Sequence, residues 1–466
     1  MPRLPRLAIG TVQREVDLAM VSWALLSALE RSGLRVQTFR SQACFSPVDG
    51  ATSITGFFPR HLDSWLMSQS LCRQVFLRGA AASDLSLVEG QFRSAQDADR
   101  QAGGAEEAPD RGDLDTLCSW LDLPTIAVID ASRLGDCTLP QRPAHLDGLI
   151  LDRVTDQTQL FKLQTLFETL WGVPVLGSLD ELPALRSAAG RLELGTQPAR
   201  DLCRALGDHF AETSRLDRIV RLAHGRDFAW RVEPPCRQTQ CGSVPPGKAS
   251  SSTPLRVAVA YDEAFHCYFP DTLEVLELHG AVVSDFSPLR DDRLPAGTDI
   301  VYFGCGHPER FAAQLANNDC MTLALRDHLC NGRRLYAEGG GLGYLCQQIV
   351  LPDGRTLPMA GLFPAIARYN GKPYRPRATQ LTLGQSNWFG PAGTSLRGYL
   401  NPCMDIEPTG PMRRYPVENE HRLDLIGHHQ AIGSRLHLNF AAQPAVLEHF
   451  FQPHAAALDL ALARSI

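Results

Sequence analysis

The stretch Leu335-Tyr336-Ala337-Glu338-Gly339-Gly340-Gly341-Leu342-Gly343-Tyr344-Leu345 constrains the fold more than any other part of the chain. An apolar run enters a turn of small residues and leaves as a helix. Such an elbow is how an α/β sheet presents a nucleophile. The turn side chain projects from the end of the strand, beside backbone N–H groups of the next helical turn. The turn position here is Gly339, which has no side chain and can form no covalent intermediate.

The rest of the chain alternates short apolar strands with helical segments, which predicts parallel sheets. Leu7-Ala8-Ile9-Gly10 reads as a first strand, Val16 to Ser32 as a helix, and Leu34 to Phe39 as the next strand. Further strands are expected at Leu85–Glu89, Thr125–Asp130, Gly148–Asp152 and Val173–Gly177, with a helix from Gln159 to Trp171. A second pattern starts at Leu255 to Ala260. It continues with a helix near Phe269 to His279, strands at Ala281–Val283 and Ile300–Gly304, and a helix near Met321 to Cys330 before the elbow. The polar segment Arg93 to Gly112 reads as a surface loop. Pro234-Pro235 through Pro254, with its Gly, Pro and Ser clusters, reads as a linker. The expected organisation is therefore a domain over 1–231, a linker over 232–254 and a second domain over 255–466. Cys236 and Cys241 fall in that linker, in a spacing that fits no common metal or redox motif.

The 466 residues carry a net charge of −6, which argues against a nucleic-acid partner. No apolar run approaches membrane-spanning length, and the N-terminus has no signal-type apolar region. The expectation is a cytoplasmic protein with no membrane partner, its thirteen cysteines mostly reduced core residues. Lysine is confined to Lys162, Lys248 and Lys372.

Beyond the elbow, the second half carries Ala260-Tyr261-Asp262-Glu263-Ala264-Phe265, Tyr268-Phe269-Pro270, Phe286-Ser287-Pro288-Leu289, and Gly304-Cys305-Gly306-His307-Pro308-Glu309. Leu357 to Pro364 and Leu436-His437-Leu438-Asn439-Phe440 follow. Together these resemble the class I glutamine amidotransferase domain of the cobyrinate a,c-diamide synthase family, whose elbow reads Ala-Glu-Cys-Gly-Gly-Leu-Met-Tyr-Leu. The first half resembles the ATP-using domain of the same family through Ala8 to Thr11, Phe39-Arg40, Leu62 to Met67, Val88-Glu89-Gly90 and Asp130-Ala131-Ser132. The resemblance implies two doubly wound parallel-sheet α/β domains. The N-terminal one would be like P-loop proteins and dethiobiotin synthetase, the C-terminal one like a class I glutamine amidotransferase. It also implies a carbon–nitrogen ligase chemistry: ATP and Mg²⁺ activate a corrin side-chain carboxylate, and glutamine supplies the amide nitrogen.

Both implied sites are altered. A phosphate loop needs glycines for backbone approach and a lysine for the outer phosphates. The family pattern Gly-Thr-x-Ser-Gly-x-Gly-Lys-Thr is here Gly10-Thr11-Val12-Gln13-Arg14-Glu15-Val16-Asp17-Leu18. Asp17 stands at the lysine position, and Leu18 replaces the magnesium-binding threonine. A carboxylate about 4 Å from a phosphate oxygen costs roughly 4 kcal/mol at an effective dielectric near 20. Gly10, Thr11, Asp17 and Glu89 thus mark a degenerate nucleotide site, with Glu89 at the acidic position suited to Mg²⁺. The segment Arg40-Ser41-Gln42-Ala43-Cys44-Phe45 has lost the family's acidic residue.

In the second site His437 matches the general base, Glu338 is an acid–base candidate or an elbow stabiliser, and Gly339 is the position of the missing nucleophile. Gly304, Cys305, Gly306 and Gly340 would form the oxyanion loop. Cys346 is expected seven residues along the following helix, too far to substitute. Cys305 is expected to be a small packed thiol, with a relocated Cys305–His437 pair as the alternative. His421, His428, His429, His449 and His454 read as surface or helix-end residues, so no metal site is expected. Arg368 to Arg377 could meet an anionic macrocycle, with a solvated loop as the default reading. The functional expectation is a catalytically inactive relative tied to corrin or another tetrapyrrole. It would act by binding, as a scaffold or in regulation, without a cofactor, and would pair with an active paralogue or with itself. The alternative is a divergent, active amide synthase using ATP, Mg²⁺ and ammonia or glutamine.

Overall fold

The computed structural model describes residues 4–13, 16–41, 49–93, 113–134, 139–192, 196–226, 254–372, 376–417 and 423–452. The expected linker, apart from Pro254, and nearly all of the Arg93–Gly112 loop lie outside the described residues. So do Arg14, Glu15, Cys44, Cys236, Cys241, His421 and His454.

The first half is built on β1 (Arg6–Thr11), β2 (Val36–Arg40), β3 (Arg60–His61), β4 (Leu85–Gln91), β5 (Thr125–Asp130), β6 (Gly148–Val154) and β7 (Val175–Asp180). They form one all-parallel sheet in the order β3-β2-β4-β1-β5-β6-β7. Side chains alternate across a strand, and both faces here are buried. Leu7 and Ile9 of β1 join the layer under helices Ala19–Arg31 and Arg200–Thr213. Ala8 joins the opposite layer under Gln69–Ala80 and Leu114–Leu121. The strand order reverses at β1, so the crevice beyond its carboxyl end is where a doubly wound sheet binds ligands.

The second half begins with β8 (Arg256–Ala260), β9 (Val282–Phe286), β10 (Ile300–Phe303) and β11 (Arg334–Glu338). Then follow β12 (Cys346–Val350), β13 (Thr356–Pro358), β14 (Phe363–Tyr369), β15 (Arg377–Thr382), β16 (Ser395–Leu400) and β17 (Met404–Pro408). The last are β18 (Arg413–Arg414), β19 (Leu425–His428), β20 (Ala431–Ser434) and β21 (Leu436–His437). The main sheet runs β18-β19-β20-β11-β10-β8-β9. It is parallel from β20 to β9, with β19 and β18 added antiparallel at one edge. Two smaller sheets, β13-β12-β14-β17 and β15-β16-β21, follow the elbow and were not expected from the sequence. Their strands are half-exposed and alternate, as in Phe363–Tyr369, so they lack the long apolar runs that mark the buried parallel strands.

The two halves meet beside the elbow. Arg60 bonds Asp271 (2.7 Å) and Glu274 (2.6 Å) on helix Pro270–Leu278. Arg397 donates to the carbonyl of Trp65 (3.1 Å), and the Tyr399 hydroxyl donates to Asp63. The family-like segment Leu62 to Met67 therefore lies at this junction. No helix among the described residues is long and apolar enough to cross a membrane.

Candidate functional site

The elbow forms where expected. β11 ends at Glu338, Gly339 turns with φ +47° and ψ −114°, and the helix Gly340–Leu345 follows. This left-handed turn suits glycine and strains any other residue. The Gly339 N–H donates to Ser434 O (2.8 Å) on the neighbouring β20, which fixes the turn against the sheet.

The space a nucleophile would use is filled. A Cβ built on Gly339 would lie 2.7 Å from the Sγ of Cys305. Cys305 follows β10 and exchanges both backbone hydrogen bonds with Cys267, N to O and O to N, each 3.1 Å. Its N–H is thus committed to Cys267. The Gly304 N–H goes to the Tyr268 hydroxyl (2.8 Å), and Gly341 N–H goes to Gly304 O (3.2 Å). The N–H groups of Gly304 and Cys305, expected in the oxyanion loop, are thus both engaged by the neighbouring segment at Tyr268 and Cys267. Gly306 and Gly340 approach one another closely, since a Cβ on Gly340 would meet Gly306 O at 2.7 Å. The expected place of Cys346 is corrected. The helix ends at Leu345, and Cys346 opens β12 with its thiol on Leu342 O (3.3 Å).

His437 and Glu338 form a buried pair, Nδ1 to Oε2 at 2.6 Å. The other carboxylate oxygen accepts the hydroxyls of Tyr302 (3.1 Å) and Tyr336 (2.9 Å). Burial pushes both tyrosine hydroxyls well above their ordinary range, and the Glu338 charge adds to this. Burial alone would press the His437 pKa down. The Cys305 sulfur and Glu338 carboxylate outweigh it and hold the imidazole above its ordinary value. Burial pushes the Cys305 thiol up to about 12, with His437 drawing against it. Cys305 (3% exposed), His437 (2%) and Glu338 (0%) leave almost no surface to solvent.

The His437 ring stacks on Phe269 (4.0 Å, 10°), which in turn lies 4.8 Å from His61 of the first half. Pairing of β16 with β21 sets Tyr399 opposite His437. Neither ring nitrogen of His61 makes a hydrogen bond, and Nε2 lies 3.7 Å from Asp63. Burial, then the nearby His437 and Arg40, lower the His61 pKa to about 3. Burial raises that of Asp63 to about 6. His61, Asp63 and Tyr399 were not singled out from the sequence as functional. The only signal was the family-like run Leu62 to Met67.

At the phosphate turn, Gln13 takes the place of an open loop. Its side chain accepts from Asp130 N (2.7 Å) and donates to Asp130 O (3.1 Å), joining the ends of β1 and β5. Its backbone N–H is taken by the Thr11 hydroxyl (3.1 Å). Asp17 accepts the Ala19 N–H (2.9 Å) at the start of helix Ala19–Arg31. This anion sits where the helix end would favour a phosphate. Gly10 is required by packing: a Cβ there would lie 2.6 Å from Leu114 and 2.9 Å from Gly90 O. Burial raises the Glu89 pKa, Arg40 draws it back, and Asp49 and Asp17 reinforce the rise.

Of the C-terminal histidines, His428 donates from Nδ1 to Leu362 O (2.9 Å) and His449 from Nδ1 to Ala445 O (2.9 Å). Arg368 is engaged by Glu407 through two bonds (2.7 and 2.9 Å), so the basic segment around it is partly neutralised.

The fold and elbow define an amidotransferase-type α/β scaffold, and comparison with known proteins agrees. Residues 256–444 match the CobB/CobQ-like glutamine amidotransferase domain. The chain is 28% identical to the cobyrinate a,c-diamide synthase of Syntrophotalea carbinolica, over 96% of this chain and 98% of that one. It is 30% identical to the cobyrinate a,c-diamide synthase of Methanosarcina barkeri, over 74% and 71% respectively. It is 27% identical to the hydrogenobyrinate a,c-diamide synthase of Streptomyces coelicolor, over 96% and 97%. The chain belongs to the cobyrinate a,c-diamide synthase family.

Proposed function

We propose that this protein is a non-amidating member of its family in cobalamin biosynthesis, which binds a corrin or related tetrapyrrole and acts as a scaffold or regulator. The observation that carries the reading is the Cys305 sulfur in the space of the missing Gly339 side chain. Gly339 offers glutamine no thiol, the Cys305 thiol beside it is buried, and the Gly304 and Cys305 N–H groups already have partners. The phosphate turn supports the same reading. Free ammonia could bypass a silent glutaminase, but amide formation still needs an activated carboxylate. Asp17 at the family's lysine position and the Gln13–Asp130 clamp beside it both weigh against a bound ATP. On this reading no nucleotide or Mg²⁺ cofactor is used, and the partners are a corrin and either an active paralogue or a second copy. A cytoplasmic setting fits the nine described cysteines, none of which is in a disulfide.

The test is a binding titration of cobyrinic acid, followed by the absorbance of the corrin, with and without Mg-ATP. Saturable binding unaffected by nucleotide is expected. Absence of binding would remove the corrin from the reading.

A further inference from the structure

Beneath the elbow, four side chains from separate segments converge. Cys267 and Cys305 face each other across their two-residue bridge, Glu338 ends β11, and His437 ends β21. The ligand atoms of Cys305, Glu338 and His437 lie within 4.8 Å of one another. Cys267 stands directly opposite Cys305 in the bridge, which places it beside this group. Since Nδ1 is committed to Glu338, Nε2 is the atom left to face the Cys305 sulfur. We propose that Cys267, Cys305 and His437 bind a zinc-type divalent cation, with Glu338 holding the imidazole from behind.

The donor set fits this class of ion. Two thiolates and one imidazole are zinc ligands, whereas hard cations such as magnesium and calcium take oxygen donors. Metal-bound histidines usually pass their second ring N–H to a carboxylate, which fixes the tautomer and strengthens the ligand. Glu338 does this here, and the Tyr302 and Tyr336 hydroxyls anchor its other oxygen. The bridge between Cys267 and Cys305 adds rigidity. A residue pair exchanging both backbone bonds holds its Cα atoms about 5.5 Å apart.

Loading balances simply. Each thiol gives its proton to solvent and binds through sulfur. His437 binds as neutral imidazole through Nε2 and keeps its Nδ1 proton on Glu338. Two thiolates offset the charge of the ion, and about three protons leave per cation bound, two from the thiols and one from the His437 imidazolium. A relocated nucleophile would use the same atoms, but the site gives it neither an approach for substrate nor free N–H groups on Gly304 or Cys305.

Cobalt(II) is the probe, because thiolate ligation gives it a strong near-ultraviolet band. The full-length protein, stripped with chelator and kept reduced, should bind about one cobalt per chain. It should show that band and release it on addition of zinc. Cys267→Ser and Cys305→Ser should lose the band while keeping the far-ultraviolet dichroism of the parent. Cys320→Ser, at an exposed position, should keep it. Glu338→Gln should retain the band with affinity weakened by about 10–100-fold. The proposal is overturned if the parent shows no thiolate band, or if the band survives in both Cys267→Ser and Cys305→Ser. It is equally overturned if reduced protein incubated with glutamine carries an acyl adduct on Cys305.

Discussion

The Sγ of Cys305 lies 2.7 Å from the place a Cβ on Gly339 would take, so a thiol from a neighbouring loop fills the space below an empty elbow. Position 339 cannot regain a side chain without displacing Cys305. Gly339→Cys should destabilise the protein by about 1–3 kcal/mol, through its left-handed backbone and this contact. Adding Cys305→Gly should recover part of the loss, because only the contact is relieved. Urea midpoints of the parent, the single variants and the double variant measure this coupling. Strict additivity would show that the two positions do not compete for space.

The pair of Glu338 and His437 sets a second expectation. Breaking a buried, hydrogen-bonded charge pair costs about 3–5 kcal/mol, so Glu338→Ala should be among the most damaging single changes in the second half. The pH dependence follows from the raised His437 pKa. The folded state holds this proton more tightly than the unfolded chain. Its stabilisation is complete below about 6.5 and is lost as pH rises through the higher folded value. Cys305, pushed up to about 12 from 9.0, adds a loss of the same sign above the unfolded thiol value. Denaturation of the reduced, chelator-stripped protein across this range should show stability falling toward alkaline pH, with a shallower fall in Glu338→Gln.

His61 behaves in the opposite sense. Its folded pKa is lowered to about 3 from 6.5, so the unfolded chain binds a proton that the folded chain refuses. Stability should therefore decline as pH falls from about 6.5 toward about 3. His61→Phe keeps an aromatic ring between Phe269 and Tyr399 and removes the titrating group. Acid denaturation of this variant should begin at lower pH than in the parent. An unchanged acid midpoint would mean that another group dominates.

The phosphate turn yields a plain ligand prediction. A ligand that binds only the folded state raises stability by about 2.7 kcal/mol at a hundredfold excess over its Kd. Mg-ATP should leave the melting temperature unchanged. Asp17→Lys alone should not create binding, because Gln13 still clamps the turn to Asp130. A clear upward shift of the parent with Mg-ATP would contradict this account of the first half.

The sequence showed much of the fold because parallel strands buried on both faces leave unbroken apolar runs. Thr125–Asp130 is an example, buried along its whole length. The elbow was equally legible, since three glycines after Glu338 admit few other structures. The small sheets after Leu345 were hidden, because half-exposed strands such as Arg377–Thr382 carry a weak pattern. Gly339, Glu338 and His437 were named from the sequence, but their geometry was not. Nothing in residue spacing reveals that His437 meets Glu338, 99 positions earlier, or that Cys267 faces Cys305. Such pairings are set by which strands the topology makes neighbours. The roles of His61 and Tyr399 depend on how the two halves dock, which local patterns do not encode.

The most direct test of the central claim is an amidation assay. The purified protein is incubated with cobyrinic acid, Mg-ATP and either glutamine or ammonium, beside an active diamide synthase, and the corrin mass is recorded. No mass change is expected with either nitrogen donor while the active enzyme converts its substrate. Amides added with ammonium alone would mean that the first half activates carboxylates despite Asp17. Amides added with glutamine would contradict the account at both sites.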